Sequence, residues 1–502
     1  MLVGIDVGGT NTDAVIIDDE VHTFKVPNEE GIAAILKKLP EMKNESRIAV
    51  STSLPLNLLL SRAHEYPTLT LLFPGPGLNF SSKGVILRGC VNHRGDVVEE
   101  IDEGEIREVL RGSSYDNIAI ASKFSTRNSE IEERALEIAR NFLPEDSIAL
   151  SHHCGGMNYS LRINTTVVNA KIKRTVLRLV ETIRANFDNF LFFKGDGGLI
   201  PYRMALENPS ALYNSSPAAV ALGAFFLSGE SDALVVDIGG TTTDFVMLEK
   251  GLPRITENAV ILGERTLVRC VSSVSIPYGG DSIVSEGELL PRREGKPLAF
   301  GEERPTLTDV LNAEGFEIGD YRISRSCGEL KEWDTAEIID EFVEKIAEKI
   351  RSLSPEKVVL GGYLSRYLGG LISERVSSKV IVPKFSEVMN AFGVAVSRIS
   401  LTLYARFDTV NSRASFNGVI ESPPFPQGVS PSEDEIIEEA KRKLLEIVRN
   451  EGFEAEEEFE ILYFNSYPVV RWGWQKGIIA DVIIQLKPGI SEKAEELRRR
   501  GF

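Results

Sequence analysis

One eight-residue stretch occurs twice in this chain. The first copy is Asp6-Val7-Gly8-Gly9-Thr10-Asn11-Thr12-Asp13, and the second is Asp237-Ile238-Gly239-Gly240-Thr241-Thr242-Thr243-Asp244. Both read D-x-G-G-T-x-T-D. An apolar run precedes each copy (Leu2 to Ile5; Ala233 to Val236) and another follows it (Ala14 to Ile17; Phe245 to Leu248). Strand, Gly-Gly turn, strand predicts a β-hairpin. No Gly-Lys-Ser/Thr follows and no helix opens there, so this is not the Walker loop. The third glycine of the dinucleotide fingerprint is missing as well.

These residue types suit one chemistry. Two glycines leave a turn whose backbone N–H groups approach an anion closely. The threonine hydroxyls add donors. A carboxylate at the end of the incoming strand repels a bare phosphate. It suits a phosphate-bound Mg²⁺, which takes oxygen ligands and keeps several waters. Two such hairpins facing each other would hold one nucleoside triphosphate from both sides.

Charge and cysteine usage bound the rest. The balance of 56 Lys+Arg against 74 Asp+Glu gives a net charge of −18. An acidic surface argues against nucleic acid or an anionic membrane as the main partner. Cys90, Cys154, Cys270 and Cys327 lie far apart with no C-x-x-C spacing. That usage predicts free thiols in a reducing compartment. The N-terminus opens directly on a strand, and no apolar run reaches transmembrane length. The expected location is cytoplasmic.

Along the chain, strand patterns at Ile118–Ala121 and Ser147–Leu150 flank a helix pattern at Ser129–Phe142, an α/β signal. Ser151-His152-His153-Cys154-Gly155-Gly156 follows a strand end. Adjacent histidines point to different sides of most backbones and no partner ligand pair is evident, so the segment reads as a polar loop rather than a metal site. Lys194-Gly195-Asp196-Gly197-Gly198 either faces a ligand cleft or permits a tight bend. Tyr278–Ser282 reads as a flexible turn. Pro305-Thr306-Leu307-Thr308-Asp309 has normal helix-start residues. Val358-Val359-Leu360 is a buried strand ending at Gly361-Gly362, a pair that lets a planar base lie flat on the backbone. Asn411–Pro431 is rich in Pro, Gly, Ser and Asn and marks a boundary. Beyond it come a charged helix and three strands, with Trp472-Gly473-Trp474 read as packing.

The paired hairpins and the late strand-Gly-Gly resemble the actin, sugar-kinase and heat-shock ATPase superfamily. The order of motifs is similar to the hydantoinase A and 5-oxoprolinase family, which also includes a subunit of acetone carboxylases. The residues carrying this are Gly4–Asp13, Ser51–Leu60, His93–Asp102, Ser151–Ala170 with Asn164-Thr165-Thr166-Val167-Val168-Asn169-Ala170, Ser215–Ala224 with Pro217-Ala218-Ala219, Asp237–Asp244 and Pro305–Asp309. The resemblance covers roughly residues 1–400. The chain departs from the family at Tyr278–Ser282, usually richer in glycine, and at Ser215-Ser216-Pro217, usually Ser-Gly-Pro. Both departures lie on the expected substrate side.

The resemblance implies two ribonuclease-H-like α/β domains of the actin and sugar-kinase type around an ATP cleft, plus a small C-terminal α+β domain. The expected spans are 1–160 (completed by part of the 380–405 helix), 161–410 and 411–502. Asp6 and Asp237 would orient Mg²⁺. Gly8, Gly9, Thr10, Asn11 and Thr12, with Gly239, Gly240, Thr241, Thr242 and Thr243, would hold phosphates. Gly361 and Gly362 would face the adenosine. Asp13, Asp244 or Asp309 would position water or substrate.

The activity implied is ATP-dependent hydrolysis of a cyclic amide, a lactam or hydantoin, through phosphorylation of its carbonyl. A B-type partner subunit and a homo-oligomer are among the expected assemblies. A small-molecule kinase and a non-catalytic ATP-dependent reactivating factor stay open beside it.

Overall fold

A computed structural model describes residues 1–8, 11–18, 20–27, 32, 35, 47–62 and 65–499. Each copy of the repeat forms the hairpin expected of it, and each hairpin sits in the middle of a mixed sheet. The first sheet runs in the order Leu199–Pro201, Leu191–Phe193, Arg47–Thr52, Leu2–Val7, Asn11–Ile17, Val21–Pro27. The second runs Leu252–Pro253, Thr243–Glu249, Ala233–Ile238, Lys357–Gly361, Lys379–Ile381, with Ser273–Ile276 also paired to Thr243–Glu249.

The two registers match. Asp6 lies opposite Asp13 on its antiparallel neighbour and opposite Ser51 on its parallel one. Asp237 lies opposite Asp244 and Gly361 in the same way. The sequence repeat is therefore a repeat of topology. Leu2–Val7 is buried along its whole length, as a central strand covered on both faces must be, and so it reads as an apolar run from Leu2 to Ile5, broken only by Asp6.

Two helices, Ser215–Ser228 and Met389–Val396, pack on each other. The first reaches strands of both sheets, and the second lies on Leu2–Val7 and Asn11–Ile17. Both are rich in Ala and Gly, which lets backbones approach. A Cβ placed on Gly4 would come within 2.1 Å of the Ala391 carbonyl oxygen. Within the 380–405 segment the α-helix is Met389–Val396, and it packs on the first sheet.

The sheets do not divide at residue 160. Leu191–Phe193 runs parallel beside Arg47–Thr52, and Leu199–Pro201 extends that edge. Between them in sequence, Thr68–Phe73, Val85–Ile86, Asn117–Ser122 and Ile148–Leu150 form a separate four-stranded parallel sheet. Leu71, Phe73, Ile118, Ile120 and Ile131 give it a buried core of its own.

The C-terminal sheet has five antiparallel strands under the Glu433–Asn450 helix. Its central strand is Thr402–Asp408, upstream of the boundary expected at 411. Leu403, Ala405 and Phe407 share one buried cluster with Val3 and Ile5. Trp472 and Trp474 sit at the tip of the long hairpin formed by Phe459–Arg471 and Trp474–Leu486, 94% and 73% exposed. The packing role expected for them is thus corrected. Among the described residues no helix is long and apolar enough to cross a membrane.

Candidate functional site

The two hairpin turns close alike. Gly8 N donates to Asn11 O at 3.1 Å and Gly239 N to Thr242 O at 3.0 Å. Gly9 and Thr10 lie outside the described residues. Asp6 is only 2% exposed. Its Oδ2 accepts from Asn390 Nδ2 at 2.7 Å, while its Oδ1 has no hydrogen-bond partner. Asn390 also donates to Asp13 Oδ2 at 3.3 Å, and Lys25 Nζ holds Asp13 Oδ1 at 2.8 Å. Burial, and then the Asp13 charge, push Asp6 up to about 6.

Asp237 is half-buried. Burial pushes it up to about 7, with Asp244, Asp6 and Asp13 adding to the rise and Lys25 opposing it. Three of those groups belong to the first hairpin sheet, so the two hairpins lie close enough for their carboxylates to repel each other. Asp244 accepts from the Ser275 hydroxyl and, at 3.3 Å, from Thr242 Oγ1. Burial raises it too. The structure thus gathers Asp6, Asp13, Asp237 and Asp244, whose charges Lys25 only partly offsets. An orphaned carboxylate oxygen among all-oxygen donors fits a hard divalent cation such as Mg²⁺.

Tyr278–Ser282 is a strap rather than a loose turn. Gly280 N donates to Gly239 O at 2.9 Å, and Asp281 N to Gly240 O at 2.7 Å. Thr308 N and Oγ1 hold the Gly280 carbonyl at 3.0 and 2.8 Å. The helix start at Pro305–Asp309 therefore anchors the strap, and the strap holds the second turn. Thr243 Oγ1 donates to Tyr278 O at 2.9 Å, so that hydroxyl is spent on the strap and is not a phosphate donor. Thr12 is likewise buried inside its strand. Thr241 is exposed and Thr242 half-buried at the turn itself, as is Asn11 in the first hairpin.

Asp281 was missed by sequence reasoning. A Cβ on Gly240 would lie 2.7 Å from Asp281 Oδ2, and Arg293 Nε pairs with that oxygen at 3.1 Å. The departure from the family's glycine-rich run at Tyr278–Ser282 was the available signal. Asn390 and Lys25 carried no signal, since each is a single polar residue in an ordinary element.

Asp309 does not join the four carboxylates. It is fully buried and accepts from Leu298 N (2.9 Å), Ala299 N (3.0 Å), Thr306 N (2.9 Å), Thr306 Oγ1 (3.0 Å) and Ser324 Oγ (2.7 Å). These bonds cap the Leu307–Ala313 helix, and they leave neither oxygen for water or substrate. The water-positioning role expected for Asp309 is corrected on that ground. Asp309→Ala should destabilise the fold by about 3 kcal/mol, combining a lost cap with unpaired buried donors. Turnover per folded molecule should stay within about twofold, because no reacting group is touched. Thermal unfolding beside turnover corrected for folded fraction checks this; normal melting with lost turnover would restore the chemical role.

Gly361 and Gly362 lie beside Asp237. A Cβ on Gly362, whose φ is +84°, would meet the Ile238 carbonyl oxygen at 2.2 Å. The pair lets this strand end pass directly under the second hairpin.

Residues 162–361 match the family described as Hydantoinase/oxoprolinase, and residues 2–78 match its N-terminal region. The chain belongs to the hydantoinase/oxoprolinase family. It is 25% identical over 494 residues to caprolactamase subunit alpha of Pseudomonas jessenii, covering 79% of this chain and 70% of that one. It is also 25% identical over 427 residues to an uncharacterized protein of Methanocaldococcus jannaschii, covering 70% of this chain and 63% of that relative's length. Among solved structures, nucleotide-free acetone carboxylase superposes with a TM-score of 0.66 at 16% identity, over 97% of this chain and 87% of that one. ATP-dependent caprolactamase of P. jessenii superposes with 0.62 at 20% identity, over 98% and 88%. These superpositions show the fold: two ATPase-like α/β halves with a C-terminal domain.

The chain also walls a second space. A cavity of about 170 Å³ is lined by His153, Cys154, Lys194, Asp196, Glu207 and Arg269, among others. Lys194 Nζ pairs with Asp196 Oδ2 at 2.8 Å, so the Lys194–Gly198 turn faces this cavity. Burial pushes the Cys154 thiol up to about 12, so it stays protonated. Asn169, from the Asn164–Ala170 motif, donates to Cys154 Sγ at 3.2 Å and to Asn208 Oδ1 at 2.9 Å. Four residues past the lining Ala211, the Ser215 hydroxyl accepts from Ser51 Oγ at 3.2 Å, beside Asp6 in the sheet register.

Proposed function

We propose that this chain is the ATP-handling component of a cyclic-amide hydrolase of the hydantoinase/oxoprolinase type. One observation carries the reading: Asp6 and Asp237 hold equivalent register positions in the two hairpin sheets, and burial together with neighbouring carboxylates pushes both above the usual aspartate range. Such carboxylates need a cation. Mg²⁺ with ATP would supply the counter-charge and the phosphoryl group that activates an amide carbonyl.

The chain's own residues position and neutralise, which is most of what phosphoryl transfer asks of a protein. Asp6 and Asp237 would hold the metal through its waters. The turn amides around Gly8 and Gly239–Gly240, with Asn11, Thr241 and Thr242, would hold phosphate oxygens. Asn390 keeps Asp6 and Asp13 aligned. Asp13 or Asp244 would position water or substrate. Gly361 and Gly362 would face the adenosine. The cavity of Lys194, Asp196 and Arg269 would take the amide, since it combines enclosure with paired polar groups. A B-type partner, such as the name of the caprolactamase alpha subunit implies there, would complete ring opening, and the complex would work in the cytoplasm.

The test is turnover of ATP and Mg²⁺ over a panel of lactams and hydantoins, with and without a B-type protein, following phosphate release and ring opening together. Ring opening stoichiometric with phosphate supports the reading. A stable phosphorylated product with no ring opening makes the chain a small-molecule kinase instead. Nucleotide binding with no substrate-stimulated turnover makes it a reactivating factor.

A further inference from the structure

The histidine pair of residues 152 and 153 is not a plain polar loop. Ser151–Cys154 forms a 3₁₀ turn, and that tight winding puts the two rings together, with centroids 4.2 Å apart. The partner that the sequence did not reveal comes from the preceding helix, Glu130–Ala139. His152 Nε2 lies 3.3 Å from Glu133 Oε1. One ligand atom each from Glu133, His152 and His153 all lie within 4.8 Å of one another.

The orientation of His152 is fixed from behind. Glu132 is fully buried, and its Oε2 accepts from His152 Nδ1 at 2.8 Å and from His152 N at 3.0 Å. Its Oε1 accepts from Ser122 N at 2.6 Å and from the Ser151 hydroxyl. Arg162 Nε in turn donates to Ser151 Oγ at 3.0 Å. A buried carboxylate on Nδ1 sets the tautomer and leaves Nε2 as the outward donor atom, which is how metal-bound histidines are held.

The geometry points to a transition-metal site of the zinc class at Glu133, His152 and His153, separate from the hairpin site. Two imidazoles and one carboxylate suit Zn²⁺ and its neighbours rather than Mg²⁺. Tetrahedral coordination at these bond lengths wants donor atoms about 3.3 Å apart. The His152–Glu133 pair already meets that spacing. Glu133 is half-exposed, and a rotation of the His153 ring would close the third edge. Three protein ligands leave a position open, as catalytic zinc sites do. Both histidines line the cavity that also holds Glu207, Lys194 and Arg269, while Glu133 does not, so the site would sit at the cavity's edge. A small molecule with a carbonyl or carboxylate oxygen is the ligand class that fits. The rival arrangement is a metal-free His152 ring bridging Glu132 and Glu133, which gives His153 no role.

The full chain, stripped with a chelator, is titrated with Co²⁺ as the spectroscopic probe. One equivalent should bind, with visible d–d bands of low-coordinate cobalt, and Zn²⁺ should displace it. Glu133→Gln should weaken binding more than a hundredfold while leaving metal-free melting unchanged. His153→Gln should do the same. Glu132→Gln should weaken it by about 10–100-fold, as expected for an orienting group. Asp6→Asn should leave it unaltered, which separates this site from the hairpins. Cobalt that fails to bind, or that binds equally to Glu133→Gln and His153→Gln, overturns the site. A drop in metal-free melting of Glu133→Gln with unchanged cobalt binding identifies the ion pair instead.

Discussion

Asp237→Asn should remove at least about tenfold of metal-dependent ATP turnover while the protein keeps or gains stability, since charge neutralisation at phosphates is a leading catalytic contribution. The two effects part because the charge is unfavourable in the ligand-free protein and needed in the loaded one. Asp237 sits among Asp244, Asp6 and Asp13 and is pushed up to about 7. Asn keeps the shape and removes the repulsion.

The pH dependence gives a second readout. In the folded state burial and neighbouring charge push Asp6 up to about 6 and Asp237 up to about 7, against about 3.9 for an unfolded aspartate. Between those values the native state binds more protons than the unfolded chain, so stability falls as pH rises. The contribution is fully present below about pH 4 and lost as pH passes through the folded values. The ligand-free wild type should therefore melt progressively lower from about pH 4 to pH 7, and Asp237→Asn should flatten that slope. Adding Mg²⁺ and ATP should restore wild-type stability near neutrality and do less for the variant. Differential scanning calorimetry across pH, beside single-turnover kinetics, reads both. A variant that melts far lower and turns over normally per folded molecule makes Asp237 structural, and the metal role of Asp6 goes with it.

The hairpins were legible because one pattern recurs with its flanking apolar runs, and a repeat of six identities leaves few alternatives. The Met389–Val396 helix lies inside the helix pattern at Ser386–Ile399, and its Ala-Gly-rich sequence is what close backbone packing demands. The sheet edges were not. Leu191–Phe193 is three residues long and carries no mark of the strand it joins 140 positions upstream, since parallel pairing leaves no local signature. Asp309 shows the limit of motif reasoning. Pro-Thr-Leu-Thr-Asp spells a capped helix, and in this chain the cap uses both carboxylate oxygens. The histidine pair shows the opposite failure. Its third group, Glu133, lies 19 residues upstream on a helix whose pattern announces only a buried face.

Gly393→Ala should destabilise the protein by about 3 kcal/mol or more, at the upper end for overpacking and a large part of a normal folding free energy. The added methyl would lie 1.8 Å from the Ala219 carbonyl oxygen, 2.7 Å from its carbon and 2.9 Å from Gly223 N. All three are backbone atoms, so no side chain can rotate away. The helices Ser215–Ser228 and Met389–Val396 would have to separate. Gly223 faces Met389 O across the same contact, 1.9 Å from where its own Cβ would be, so there is no slack on the other side. The second helix also carries Asn390, which bonds Asp6 and Asp13, and Met389, whose sulfur packs 3.0 Å from the Cβ position of Gly361. Moving it pulls Asn390 off the first hairpin and unsettles the strand beneath the second. Nucleotide affinity should therefore fall in the fraction that still folds, and not only the folded fraction itself. Gly370→Ala is the control, on the exposed side of the Ser365–Ser373 helix with nothing within 4 Å of its Cβ. It should stabilise by about 0.5–1 kcal/mol through helix propensity alone. Chemical denaturation with nucleotide titration on both variants separates the two effects. A Gly393→Ala protein that unfolds like wild type would show that the two helices are not in backbone contact, and their coupling of the hairpins would fall with it.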